Sequence, residues 1–290
     1  MIRIFLLFVA GTSLLLNAIA SAQSPSGVGS NPAPYLADVR SVTLPAKNPS
    51  GLVFHEKRNS LLLVDNGGTL IELDIDLKEK KRWSISGDLE GIAVHPVTGT
   101  ILVASERNSA LIEFDLEKGK ELRRFIVALG SHPEFLEDRN PDKGIEGVAL
   151  TATGDKVAIY VVSEVSPPRL LRLAVSLSLT IDAELHHNEP ATSLVPVEKY
   201  AMIEKGWDLG TRSLNDLAFD ITSQTFLATS ARDKSLQVID STGKVLRSFE
   251  LPGPDPSGFC FLPNGDALVV HVSGGGQLLP GFRELVFPAP

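Results

Sequence analysis

Short apolar runs separated by turns rich in Gly, Asn, Asp and Pro follow one another from Leu52 to the carboxyl end, a pattern that predicts strands rather than helices. The first group reads Leu52–Phe54, Leu61–Val64, Leu70–Leu73 and Lys81–Ile85, with turns at His55–Asn59, Asn66–Gly68 and Asp74–Lys78. The second is Ile92–Val94, Ile101–Ala104, Leu111–Phe114 and Leu122–Val127. The third gives Val148–Leu150, Val157–Val162 and Leu170–Leu173, after which the pattern dissolves until about Lys199. A fourth follows at Leu217–Phe219, Thr225–Thr229, Leu236–Ile239 and Val245–Leu251. The last, Phe259–Leu262, Ala267–Val272 and Arg283–Phe287, is one strand short, while alternation over Val39–Leu44 predicts a lone strand ahead of the first group. Helix competes only at Asp182–His187 and Val197–Lys205.

Each group opens on a related stretch: Ser50-Gly51-Leu52, Glu90-Gly91-Ile92, Glu146-Gly147-Val148, Asn215-Asp216-Leu217 and Ser257-Gly258-Phe259. A recurring unit of roughly 40 residues and four strands is the size of a propeller blade. The expected fold is therefore an all-β, five-bladed β-propeller, its ring closed by the N-terminal strand completing the last blade. That closure leaves no long sheet edge exposed. The polar positions lie 40, 56, 69 and 42 residues apart, and the long third interval holds an expected insertion around 176–207. A degenerate sixth blade there is disfavoured by the run His186, His187, Asn188, Glu189, Pro190, which has little alternation.

Composition changes this picture in two places. At 290 residues and 43% hydrophobic content the chain can bury a large core, and a net charge of -8 without clustered Lys and Arg excludes a nucleic-acid partner. The amino terminus has Arg3, an apolar stretch from Ile4 to about Ile19 and then Ala20-Ser21-Ala22, which predicts a secretory signal spanning 1–22 and cleaved after Ala22. A flexible leader is expected over 23–34 and a single propeller domain over 35–290. The product is expected in the periplasm or secreted, monomeric and with no stable membrane span after cleavage. Its partner would be a small molecule or an envelope protein. Cys260, the one cysteine, stands between Phe259 and Phe261 and reads as a small buried hydrophobe.

The stretches Pro49-Ser50-Gly51-Leu52, Asp88-Leu89-Glu90-Gly91-Ile92-Ala93, Ala104-Ser105-Glu106-Arg107, Gly144-Ile145-Glu146-Gly147-Val148-Ala149, Ser163-Glu164 and Leu214-Asn215-Asp216-Leu217-Ala218 resemble, in order and spacing, the SdiA-regulated family of exported bacterial proteins. The resemblance runs from about Tyr35 to the carboxyl end. It implies a five-bladed propeller, distantly similar to NHL-repeat propellers, with a calcium ion in the channel region and no established activity. The last blade departs from the family pattern: Ser257-Gly258 and Val272-Ser273-Gly274 stand where Glu-Gly and Ser-Glu are usual, so one acidic candidate is missing.

First strands line a propeller's channel, so Ser50, Glu90, Glu146, Asn215 and Ser257 should converge, with Asp216 adjacent. These are hard oxygen donors suited to calcium; no Cys or His stands among them, which disfavours zinc and copper. Two carboxylates brought together without a cation repel, and one must take up a proton. Two other readings of the same positions stay open: hydrogen bonds between strand ends, and direct ligand binding. A second layer at the channel mouth is expected from Asp65 or Asn66, Glu106, Glu164, Ser230 and His271, residue types that also cap turns.

His55 and His95 hold the same turn position in consecutive groups and reflect the repeat. No Gly-x-Ser-x-Gly elbow follows a strand, and Gly274-Gly275-Gly276 lacks the companions of a phosphate loop and reads as a flexible turn. Three functions follow. The first is a calcium-binding, non-enzymatic binding or scaffold propeller of the cell envelope. The second is a metal-dependent hydrolase of phosphate esters or lactones with its ion in the channel. The third is a sugar- or peptide-binding module whose lid is Ser176–Trp207, with Trp207 and Tyr200 either stacking on ligand or packing against a neighbouring blade.

Overall fold

The computed structural model describes residues 33–107, 109–128, 144–153, 156–164, 168–177 and 199–288. The expected signal, almost all of the leader and the His186-His187 pair lie outside them. The chain folds into strands in antiparallel four-strand meanders. β1 (Arg40–Val42) comes first, followed by β2 (Pro49–His55), β3 (Ser60–Asp65), β4 (Thr69–Leu73) and β5 (Glu79–Ser84), these four in one sheet. Next come β6 (Leu89–Val94), β7 (Ile101–Ser105), β8 (Ala110–Asp115) and β9 (Lys120–Ala128), then β10 (Ile145–Thr153), β11 (Lys156–Ser163), β12 (Arg169–Leu177) and β13 (Lys199–Asp208). A further sheet holds β14 (Asp216–Asp220), β15 (Thr225–Ser230), β16 (Ser235–Ile239) and β17 (Val245–Glu250). β18 (Pro256–Phe261), β19 (Ala267–His271) and β20 (Gly276–Leu279) precede a short helix, α1 (Phe282–Val286).

β1 pairs antiparallel with β20, Arg40 opposite Leu278, so the amino-terminal strand completes the last sheet as its pattern suggested. Burial falls from the centre outward. Every residue of β3 and β7 is buried, because these strands are covered on both faces, whereas β5 reads Glu-Lys-Lys-Arg-Trp-Ser with only Trp83 buried. Charges on an outer strand keep a free sheet edge from pairing with other chains. The sheets are β-propeller blades joined by apolar clusters shared between neighbours: Leu62 and Val64 pack with Ile101 and Val103, and Leu61 and Leu63 pack with Cys260, Leu268 and Val270, which ties the last sheet to the first. Cys260 is thus a core residue, and burial pushes its thiol up from the ordinary value.

The structure departs from the sequence pattern at three places. Arg283–Phe287 is not a strand: the third strand of the last blade is β20, which starts at Gly276, and residues Phe282–Val286 turn helical after Pro280 and Gly281. The glycines before β20 do form a turn, Gly274 and Gly275 taking φ of 103° and 72°. The expected insertion is narrower among the described residues, since β12 runs to Leu177 and Lys199–Asp208, where helix competed, is β13. β13 lies parallel to β9, Ala201 opposite Val127, so the two neighbouring blades share one eight-stranded sheet. Trp207 stacks on Tyr160 at 6.4 Å and lies against Gly243 of the next blade, which is packing rather than ligand stacking.

A repeated buried ion pair braces the third strands. Glu72 on β4, 1% exposed, accepts from Ser60 Oγ at 2.9 Å, from Arg58 Nη2 at 3.0 Å and from Lys80 Nζ at 3.2 Å. Glu113 on β8 holds the equivalent place with Arg123 and Thr100. Burial alone would raise the Glu72 carboxyl, but the bonds from Arg58, Ser60 and Lys80 hold it down to about 2. Its stabilising contribution is therefore complete above the ordinary carboxylate range and is lost as pH falls from about 4.5 towards 2. Glu72→Gln should cost about 1–2 kcal/mol in urea unfolding at pH 7, and the cost should vanish near pH 2.

Candidate metal centre

The heads of the blades contain a backbone irregularity that explains their polar-Gly signature. In β2 the register passes from Pro49↔Asp65 to Leu52↔Leu63, in β6 from Leu89↔Ser105 to Ile92↔Val103, in β10 from Ile145↔Ser163 to Val148↔Val161 and in β18 from Pro256↔His271 to Phe259↔Val269. Each shift is a bulge over the polar-Gly pair, and bulges re-aim side chains out of the regular alternation. The glycines serve the same place by letting backbones touch. A Cβ on Gly51 would lie 2.8 Å from Gly91 Cα, one on Gly91 2.6 Å from Gly147 Cα, one on Gly147 2.6 Å from the Asp216 carbonyl carbon, and one on Gly258 2.5 Å from the Ser50 carbonyl oxygen. β14 is regular from Asp216 onward, so Asn215 is not carried on a bulge.

These bulges place Glu90 and Glu146, each 5% exposed, beside residues just past the second strands of the same blades. Carboxylate oxygens of Asp88, Glu90 and Glu106 lie within 4.8 Å of one another, and so do those of Glu106, Glu146 and Glu164. Asn66 extends the group, donating Nδ2–H to Glu90 Oε1 at 2.8 Å, and Ser50 Oγ donates to Asn66 Oδ1. Near the rim Arg232 Nη2 stands 3.5 Å from Glu164 Oε1.

Five carboxyl groups in one place cannot all ionise cheaply. Burial first, then the charges of Asp88 and Glu106, push Glu90 up to about 8, with a bond from Ser50 opposing. Burial, followed by Glu90, Glu106 and Glu164, drives Glu146 well above the ordinary carboxylate range. Glu106 is raised by burial, opposed by its hydrogen bond with Glu146.

The other expected donors make hydrogen bonds of their own. Ser257 Oγ donates to the Ser50 carbonyl at 2.8 Å, a bond that seals the last blade to the first. Asn215 Oδ1 accepts from the Ala231 N–H at 2.8 Å and so holds the turn after β15. Asp216 Oδ2 accepts the Phe259 N–H at 3.1 Å, linking β14 to β18; burial raises its carboxyl to about 7 while bonds from the backbone of Phe259, Leu217 and Leu52 oppose the rise. Asp65 Oδ1 caps its own turn, accepting the Gly67 N–H at 3.0 Å, and Asn66 is the residue that reaches the cluster. Ser230 and His271 engage Asp233 and Gln277. Asp88 was missed as a donor, although it stands two residues before Glu90. Among the described residues the clustered carboxylates come from the second and third blades, with Asn66 and Ser50 of the first blade bonded to them.

Residues 35–256 match the model of the SdiA-regulated family. Two solved chains are similar: the β-propeller domain of Myceliophteria thermophila Cps50 (Swd1), 13% identical with a TM-score of 0.45 over 82% of this chain and 98% of that one, and a streptogramin B lyase, 14% identical with a TM-score of 0.42 over 84% and 74%. No curated protein sequence gives a significant match. Since the family match takes in the heads of the first four blades and every residue of the carboxylate cluster, the chain belongs to the SdiA-regulated family.

Proposed function

We propose that this protein is a five-bladed propeller that binds a calcium ion at the carboxylate cluster and acts as a non-enzymatic binding or scaffold protein, exported by its amino-terminal segment to the periplasm or beyond. The observation that carries the metal reading is the burial of Glu90 and Glu146 inside a group of oxygen donors, with Arg232 reaching Glu164 at its edge. The donor chemistry fits the ion: carboxylates with an amide and a hydroxyl nearby are hard ligands, and calcium accepts a flexible set of them. Glu90, Glu106 and Glu146 would hold the ion, with Asp88 and Glu164 completing the charge. The bound ion would supply the positive charge that Glu90 and Glu146 otherwise obtain from protons. The count of five rests on the chain of contacts among β2, β6, β10, β14 and β18, each meeting the next and the last returning to the first.

Among the described residues no histidine or cysteine belongs to the cluster, so its donors are hard oxygens of the kind calcium takes. Among them, too, no helix is long and apolar enough to cross a membrane. Calorimetric titration of chelator-stripped protein tests the reading. One calcium should bind per chain, and Glu146→Gln should weaken it at least about tenfold. Absence of heat, with an unchanged melting temperature, would sink it.

A further inference from the structure

The residue one place past each second strand follows a pattern of its own. Asn66, Glu106, Glu164, Ala231 and Val272 hold that position after β3, β7, β11, β15 and β19. In the first two cases the side chain reaches forward to the head of the following blade. Asn66 Nδ2–H donates to Glu90 Oε1 at 2.8 Å, and Glu106 shares a hydrogen bond with Glu146. The two buried head glutamates therefore meet different partners. Glu146 faces another carboxyl group, so their bond needs a proton between them. Glu90 faces a neutral amide, which satisfies one of its oxygens without adding charge.

That amide is held from both sides. Ser50, fully buried, donates its hydroxyl to Asn66 Oδ1. A donor on Oδ1 leaves Nδ2 to face Glu90, and the reverse orientation would set the amide oxygen against a carboxylate. The Asn66 backbone is tied by its N–H to the Asn48 carbonyl at 3.2 Å. Ser50 is tied by its own carbonyl, which accepts the Ser257 hydroxyl at 2.8 Å. Between them and the second blade, Gly51 lies against the Glu90 backbone, where a Cβ would come within 2.2 Å of the carbonyl oxygen. A donor so fixed keeps the Glu90 carboxylate in place against Asp88 and Glu106, like-charged groups with oxygens within 4.8 Å of it.

We infer that Asn66 is a positioning residue of the metal centre, aiming the Glu90 carboxylate at the ion through an amide whose orientation Ser50 sets. This rests on the calcium reading and names a group outside the carboxylates on which that site depends. Hydrogen-bond partners behind a metal ligand fix its orientation, and their removal costs about ten- to a hundredfold in affinity.

The test is calorimetric titration of the chelator-stripped full chain with calcium. Asn66→Leu, close to Asn in shape but without a donor, should weaken binding about tenfold or more. Ser50→Ala, which frees the amide to turn over, should weaken it in the same direction by less. Because Asn66 acts through Glu90, Asn66→Leu should bring no further loss in the Glu90→Gln background, whereas a direct ligand would add its own loss. Terbium, a luminescent stand-in for calcium, reports its bound waters through emission lifetimes in H2O and D2O, and Asn66→Leu should add about one as Glu90 swings off. Unchanged calcium affinity in both folded variants, a loss that adds to that of Glu90→Gln, or an unchanged water count would each overturn the assignment and leave the calcium reading standing. No calcium binding by the unaltered chain would overturn both.

Discussion

Stripped of divalent ions, the protein should lose stability steadily as pH rises from about 6.5 to 8, and calcium should remove most of that loss. The sign follows from Glu90, raised from 4.5 to about 8: the folded state keeps a proton that the unfolded chain releases, so folding weakens as pH climbs towards the folded value. Glu146 and Glu106 are raised too and add the same slope. His95 is held down by burial and contributes the opposite slope below its ordinary 6.5, which is why the window opens there. Asp216, raised to about 7 outside the cluster, keeps its share of the decline when calcium is present. Calcium at about a hundred times its Kd would add about 2.7 kcal/mol, a rise in Tm of about 5–10 °C for a domain of this size. Scanning calorimetry at three pH values, with calcium and with chelator, reads both effects. In the Glu90→Gln, Glu146→Gln double variant the calcium response should disappear while the ion-free protein becomes more stable at pH 8. An ion-free stability that is flat or rising over this window contradicts the account.

Gly91→Ala should be strongly destabilising. Its Cβ would stand 2.6 Å from Gly147 Cα and 2.7 Å from the Glu146 carbonyl oxygen, backbone atoms that move only if two blades separate. Overpacking against backbone at a site gripped from both sides should cost about 3 kcal/mol or more, the upper end for core insertions. Gly265→Ala is the matched control: its φ is +87° but nothing lies within 4 Å of the new atom, so backbone strain alone acts, at about 1 kcal/mol. Urea unfolding of the two variants separates crowding from strain. Equal midpoints would mean that the blade heads do not touch as described.

The sequence carried the blades well because second strands such as Leu61–Val64 and Ile101–Ala104 are buried on both faces and so read as unbroken apolar runs. It carried the outer strands poorly. β13 contains Lys199, Glu204, Lys205 and Gly206, since a strand at the rim is half solvated, and its pairing with β9 is invisible to local periodicity. Arg283–Phe287 alternates like a strand but follows Pro280 and Gly281, which let the chain turn into a helix whose Phe282 and Val286 cover the last blade. Of the site, Glu90 and Glu146 were legible as repeat heads, and Glu106 and Glu164 as the residues after second strands. At Asn215 and Ser257 the same repeat position carries oxygens that bond to neighbouring backbone. Asp88 required a step along the strand by two rather than a comparison between repeats.

The pairing of β1 with β20 has a kinetic consequence. Arg40 and Leu278 are 238 positions apart, so this joint cannot form until synthesis has passed β20. Contacts of such long sequence separation carry a large loop-closure cost and make folding slow. Until that joint is made, the apolar flanks of the first and last blades, Leu61, Leu63 and Leu268 among them, face water together, and a nascent chain waits in an open, aggregation-prone arc.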